Sequence, residues 1–193
     1  HGSVYGSYRD GDWFGDNPDG SKFNGFTKER TYGATFGGPI VKDKLFFFAN
    51  YEKFKQEAPG GDLSSTAYGK ANAVITDSVI QQVQNIAQNT YGFDAGGLSS
   101  NGNTDLEEYA LKLDWNINEN HRAALRYNKM EQNVVRFPQV SSSAISLSNF
   151  WYQQPTQYET WMGELFSDWS ENFSTEFKVS HKDYSANRVP LVD

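Results

Sequence analysis

Connections between the extended runs of this chain alternate, long then short, without exception. Period-2 runs lie near residues 1–9, 31–40, 45–55, 105–117, 121–134, 156–169 and 172–186. The links between them cover 10–30, then Val41 to Lys44, 55–104, Asn118 to Asn120, 136–155, and Ser170 with Glu171. In an up-and-down antiparallel sheet, successive connections fall at opposite ends. One end therefore carries tight turns and the other large loops. Compact soluble domains mostly use loops of about 4–6 residues. Tight turns at one end and long loops at the other are the mark of bacterial outer-membrane barrels, whose strands run near ten residues.

The runs themselves are strands on pattern. EYALKLDWNI (108–117) puts Tyr109, Leu111, Leu113, Trp115 and Ile117 on one face. Glu108, Ala110, Lys112, Asp114 and Asn116 take the other, a half-apolar strand. TYGATFGG (31–38) sets Tyr32, Ala34 and Phe36 against Thr31, Gly33, Thr35 and Gly37. One helix is expected near 77–91, inside the longest loop. Thr76 or Asp77 caps it, Val79, Ile80, Val83, Ile86 and Ala87 form its stripe, and Gly92 stops it. The flanks of that helix, APGGDLSS and AGGLSSNGN, are rich in turn residues.

Composition narrows the classes. Of 193 residues, 16% are aromatic, yet mean hydropathy is only −0.69. Net charge is −7 with no basic stripe, which argues against a nucleic-acid partner. There is no cysteine, hence no disulfide framework and no thiolate site. The longest apolar run, Leu45 to Ala49, is far short of the ~20 residues of a spanning helix. The opening HGSVYGSYRD reads as the middle of a longer chain rather than a signal peptide.

The rings fall in two sets. Phe46, Phe47, Phe48, Trp115, Trp169 and Phe173 lie near the tight turns, and Tyr51, Phe54, Tyr109, Tyr127, Tyr158 and Trp161 lie toward the long loops. Two girdles of this kind mark the two interfaces of a bilayer. Phe46 to Phe54 is roughly 27 Å along a strand, or about 19 Å of height at a 45° tilt. Three consecutive Phe residues cannot all face lipid, so at least one must point inward. The competing fold is a soluble sandwich with its rings in the core. It would bury Tyr109, Leu111, Leu113 and Trp115 against a second sheet.

The segment FGGPIVKDKLFFFANYEKFK (36–55) resembles the early barrel region of TonB-dependent outer-membrane transporters. The similarity is to the Oar-like group, whose N-terminal domain is carboxypeptidase-regulatory-like. Its motif residues are Gly37, Gly38, Pro39, Lys42, Asp43, Lys44, Phe46, Phe47, Phe48, Tyr51 and Glu52. HGSVYGSYRD resembles the first barrel strand of that group. NTYGFDAGG (89–97) and the hairpin 110–128 resemble it as well. The resemblance implies an all-β, antiparallel meander of about seven strands, a fragment of a 22-stranded transmembrane barrel. It spans 1–193 as a partial barrel domain, with the plug domain absent. It further implies active uptake of a large nutrient, no cofactor, and as partners outer-membrane lipid, the protein's own plug and, through it, the TonB complex. The alternative is a soluble or cell-surface β-rich binding module, lectin-like or adhesin.

No catalytic role is expected. His1, His121 and His181 lie on separate segments, and alternation puts His181, Asp183 and Ser185 in a row on one face. Asp10, Asp12, Asp16 and Asp19 are weak calcium candidates in a loop that fails the EF-hand spacing, since Phe14 takes a ligand position. Trp13, Phe14, Trp151 and Tyr152 are loop rings able to stack on a ligand, with loop-on-loop packing the plainer reading. Glu108, Lys112, Asp114, Arg122, Arg126, Glu176 and Lys178 form a lumen-facing set of mixed sign, expected to pair across strands or toward a plug.

Overall fold

A computed structural model describes residues 1–23, 25–58, 75–98, 101–138 and 144–191. The strands are β1 (Gly2–Asp10), β2 (Lys28–Val41), β3 (Leu45–Glu57), β4 (Thr104–Asn118), β5 (His121–Arg136), β6 (Tyr152–Ser170) and β7 (Phe173–Ala186). They form one antiparallel sheet in chain order, every neighbour in sequence a neighbour in space. A short eighth strand, β8 (Val189–Pro190), returns to pair with Tyr152 and Gln153 of β6. The helix α1 (Asp77–Tyr91) lies in the longest connection. The Thr76 side chain accepts from the Val79 amide, and Gly92 closes the helix at φ 65°, as its position requires. The turn-rich stretch following Ala58 lies largely outside the described residues.

Strand β6 begins at Tyr152, earlier than the expected 156, and runs through Pro155. In an antiparallel strand, one residue's N–H and C=O point to the same neighbour. The Pro155 carbonyl accepts from the Asn187 amide, just past the end of β7. The missing proline N–H therefore falls where the β6–β7 ladder has already ended, and no ladder bond is lost.

Register assigns the faces. The β2–β3 turn places Asp43 at φ 60°, the one non-glycine with positive φ among the described residues. A bulge between Pro39 and Val41 precedes that turn. Beyond the bulge, Gly37 stands across from Phe48 and Gly38 from Phe47. A Cβ on Gly37 would meet the Phe47 carbonyl at 2.9 Å and the Phe48 ring at 3.2 Å, so glycine is what lets Phe48 lie on β2. Pairing carries the alternation from strand to strand. Phe47, Tyr51, Tyr109, Leu111, Leu113, Trp115, Leu125, Tyr127, Trp161 and Leu165 all share one face. Phe46, Phe48 and Phe54 of β3 and Tyr158 of β6 lie on the opposite, charged face. This corrects their expected place in the girdles: two of the three consecutive Phe residues turn inward and Phe47 alone turns out.

The sheet has no second sheet behind it among the described residues. Leu111 is 54% exposed, Leu113 38% and Trp115 50%. The buried hydrophobic residues described are Ile80, Ala124, Val135 and Trp151, too few to make a sandwich core. A row of large rings left open on one face of a single sheet suits a wall between two media.

Candidate functional site

The ring-bearing face has a repeated device at its long-loop end. Each of the first six strands carries an aromatic ring there: Tyr8, Tyr32, Tyr51, Tyr109, Tyr127 and Trp161. Two residues further toward the loops, on the same face, each strand carries a charge: Asp10, Arg30, Lys53, Glu107, Lys129 and Glu159. Three of these doublets close internally. The Tyr8 hydroxyl donates to Asp10 at 2.9 Å, the Tyr109 hydroxyl to Glu107 at 2.9 Å, and the Trp161 indole N–H to Glu159 at 3.0 Å. The rings also touch across strands, Tyr51 with Tyr109 and Tyr127 with Trp161 at 5.1 and 4.4 Å between centroids. An amphipathic ring with its polar tip tied to a charge is the side chain an apolar–aqueous boundary selects. The doublet was in plain view in the sequence (YRD, RTY, YEK, EEY, YNK, ETW), but it has direction only once the turn end of each strand is known.

The ring line slants. Register sets Tyr8 level with Arg30, Lys55, Asp105, Asn133 and Pro155 in turn. Trp161 thus lies about six residues, or ~20 Å, nearer the turn end than Tyr8, over five strand spacings of ~4.8 Å. The slope corresponds to strands tilted ~40° from the normal to the ring line, within the 35–45° of transmembrane barrels. From Trp161 to Trp169 is ~27 Å along β6, or ~21 Å of height at that tilt, close to the ~25 Å apolar band of such barrels. At the turn end, the Trp169 indole donates to Thr175 at 2.9 Å and packs on His121.

The opposite face is wired by charge. Glu164 is buried and held by Arg126 at 3.3 Å and Lys178 at 3.4 Å; Lys178 also reaches Glu176 at 2.5 Å. Lys112 pairs with Asp114 at 2.7 Å. Arg122 stacks on Phe166 at 4.7 Å. Nearer the loops, buried Glu29 is paired with Arg9 and accepts from Gln56 at 3.0 Å. Tyr5 lies over Gly33 and donates to Glu52 at 2.6 Å; a Cβ on Gly33 would strike the Tyr5 ring. The set expected on this face is found there, and most of it pairs within the wall itself. Glu107 and Glu108 point to opposite faces, Glu107 outward to Lys53.

The loop candidates separate. Trp13 is 69% exposed, its ring edge-on to Tyr8. Phe14 stacks on Phe23 and meets Phe26 edge-on, a small core within its own loop. Trp151, a ligand-stacking candidate whose plainer reading was loop packing, is fully buried within its loop. Its indole donates to Ser146 at 2.8 Å, and Phe137 packs edge-on against it. It fixes the β5–β6 loop, which in turn docks on the helix-bearing loop through Ser148 to Gly97 and Asn149 to Asp94. Tyr152 belongs to β6 rather than to a loop, and Arg188 covers its ring at 5.0 Å. Asp10 caps a 3-10 turn at Gly11–Trp13, and Asp19 accepts from the Ser21 amide and hydroxyl at 2.9 and 2.6 Å. These Ser21 bonds hold the Asp19 carboxyl below the usual carboxylate range. No three metal-ligating side chains converge among the described residues. His181, Asp183 and Ser185 run along one face of β7, opposite Trp161, Glu159 and Gln157, and do not converge.

Residues 1–72 match the family model of an outer membrane beta barrel domain. No curated protein and no solved structure matches the chain. The match covers β1, β2 and β3, the strands that begin the slanted ring line. With one unbroken meander, a face of open rings and a face of paired charge, the chain is part of a β-barrel protein of the outer membrane.

Proposed function

We propose that this chain is the early wall of a 22-stranded TonB-dependent transporter of the Oar-like group, acting in active uptake of a large nutrient. The observation that carries the reading is the β2–β3 hairpin. The resemblance of residues 36–55 rests on GGPI, a KDK turn and LFFF-NYE, and each part has a physical task. Gly37 admits the inward Phe48, Pro39 stands at the bulge, and Lys42 and Lys44 flank the positive-φ turn residue Asp43. In this reading the wall carries no catalytic group. Its charged face lines the lumen that houses a plug supplied by the rest of the protein. The plug couples to the TonB complex of the inner membrane, and the loops capture the nutrient.

The test uses the full-length protein in detergent and the periplasmic C-terminal domain of TonB as probe. Saturable binding of that domain is expected, together with nutrient-dependent growth that fails when the inner-membrane complex is deleted. Absence of binding, with growth indifferent to the complex, would overturn the transporter reading and leave a passive barrel.

A further inference from the structure

From the charge pattern just beyond the ring line, we infer that β2 and β3 carry a docking site for the phosphate of an outer-leaflet lipid headgroup. Four cations, Lys28 and Arg30 on β2 and Lys53 and Lys55 on β3, share the ring-bearing face one or two steps past Tyr32 and Tyr51; Lys53 is closed on Glu107, which leaves Lys28, Arg30 and Lys55 as the open three. A two-residue step is ~6.8 Å along a strand, so at a ~40° tilt all four tips lie within roughly 10 Å of the ring layer. That height is the headgroup layer, and it continues the surface already given to lipid.

Register supplies a second, independent observation. Arg30 stands directly across from Lys55. Like charges placed opposite on one face destabilise a strand pair, so the sheet alone gives no reason for the choice. Neighbouring carboxylates compensate it only in part. Arg30 gives a bond to Glu57 at 2.9 Å, and Lys55 stands 3.5 Å from Asp105. Both side chains remain about half exposed, at 47% and 48%. Lys28 stands across from Asp10 and Glu57 and closes no ion pair among the described residues. A guanidinium offers five N–H donors in a planar fork suited to phosphate, and an ammonium offers three more. Strands β4 to β7 carry the opposite bias at the same height, with Glu107, Glu131, Glu159 and Asp183 against Lys129. The lipid's phosphate is thereby directed to the β2–β3 corner. The inference depends on which face meets lipid and not on the transport reading.

The test measures binding of lipid A to the delipidated full-length protein by native mass spectrometry. The comparison ligand is lipid A with its phosphates removed. The wild type is expected to prefer the phosphorylated form ~10–30-fold, from about 1 kcal/mol for each of two cations. The double variant Arg30→Gln/Lys55→Gln is expected to lose that preference. A control that removes two cations at the other end, Lys42→Gln/Lys44→Gln, is expected to keep it. Inorganic phosphate at the same concentration is expected not to compete. Heat-modifiable migration in a denaturing gel confirms that each variant is folded. Should the double variant fail that check, the exposed single change Lys55→Gln is expected to show an intermediate loss. Equal binding of both lipids by the wild type, an undiminished preference in the folded variants, or displacement by free phosphate would each overturn the proposal.

Discussion

Leu113 and Lys112 are neighbours in β4, yet they live in different solvents. On one face of the strand, Leu111, Leu113 and Trp115 are open and apolar, with charge confined to the loop end. On the other, Lys112 and Asp114 pair with each other, and Arg126 and Lys178 reach across to Glu164. A soluble protein would cover the first face and wet the second. Here the first face is complete without a cover because its solvent is hydrocarbon. The second pairs most of its charges within the wall. The two faces therefore tolerate opposite changes.

The largest effect is expected from a charge placed on the lipid face. Leu113→Arg, near mid-band, should cost ~2–4 kcal/mol of folding into bilayers, read by denaturant titration of heat-modifiable migration. Lys112→Leu, one residue away, should cost far less. Equal losses at the two positions would erase the distinction between the faces. Removing a charge from the inner face comes next. Glu164→Ala strands Arg126 and Lys178 without their shared partner and should cost ~1–3 kcal/mol in the same assay, less than a fully buried pair because both cations are about half exposed.

A smaller effect should follow Gly33→Ala. The new Cβ would meet the Tyr51 carbonyl at 2.8 Å and displace the Tyr5 ring from its bond to Glu52. Overpacking of this kind costs ~1–3 kcal/mol, at the low end here because Tyr5 can swing away from the edge strand. The smallest effect lies outside the membrane. Asp19 is held below its ordinary range by Ser21, so its contribution to the loop is complete above the unfolded value of ~3.9 and is lost as pH falls through the lower folded value. The Ser21 amide shift, followed by NMR through an acid titration, should move with a midpoint below ~3.9, and Asp19→Asn should abolish the transition.

Much of the wall was legible in the sequence, because alternation and turn chemistry are local. Strand order, the position of α1 and both faces of β4 follow from period 2, Thr76 and Gly92. Residues 46–48 were not legible: three consecutive rings carry no parity, and only pairing with Gly37 and Gly38 decides which turn inward. The start of β6 hid behind Pro155, whose tolerance depends on where β7 stops. Loop packing was the plainer reading for Trp151, but its partners, Phe137 and Ser146, were not legible because the fold of its loop brings them to it. The ring–charge doublets needed no partner to be seen, only a direction.

The central claim is that residues alternate between lipid and lumen along β4. This segment has no native cysteine, so single cysteines at 111, 112, 113 and 114 introduce spin labels without background from it. Collision rates with oxygen and with a water-soluble nickel chelate should be measured for each label on the full-length protein in bilayers. The account predicts strict alternation: oxygen dominates at 111 and 113, and the chelate gains at 112 and 114. Four labels that favour the chelate alike, or a smooth trend without period 2, would contradict it.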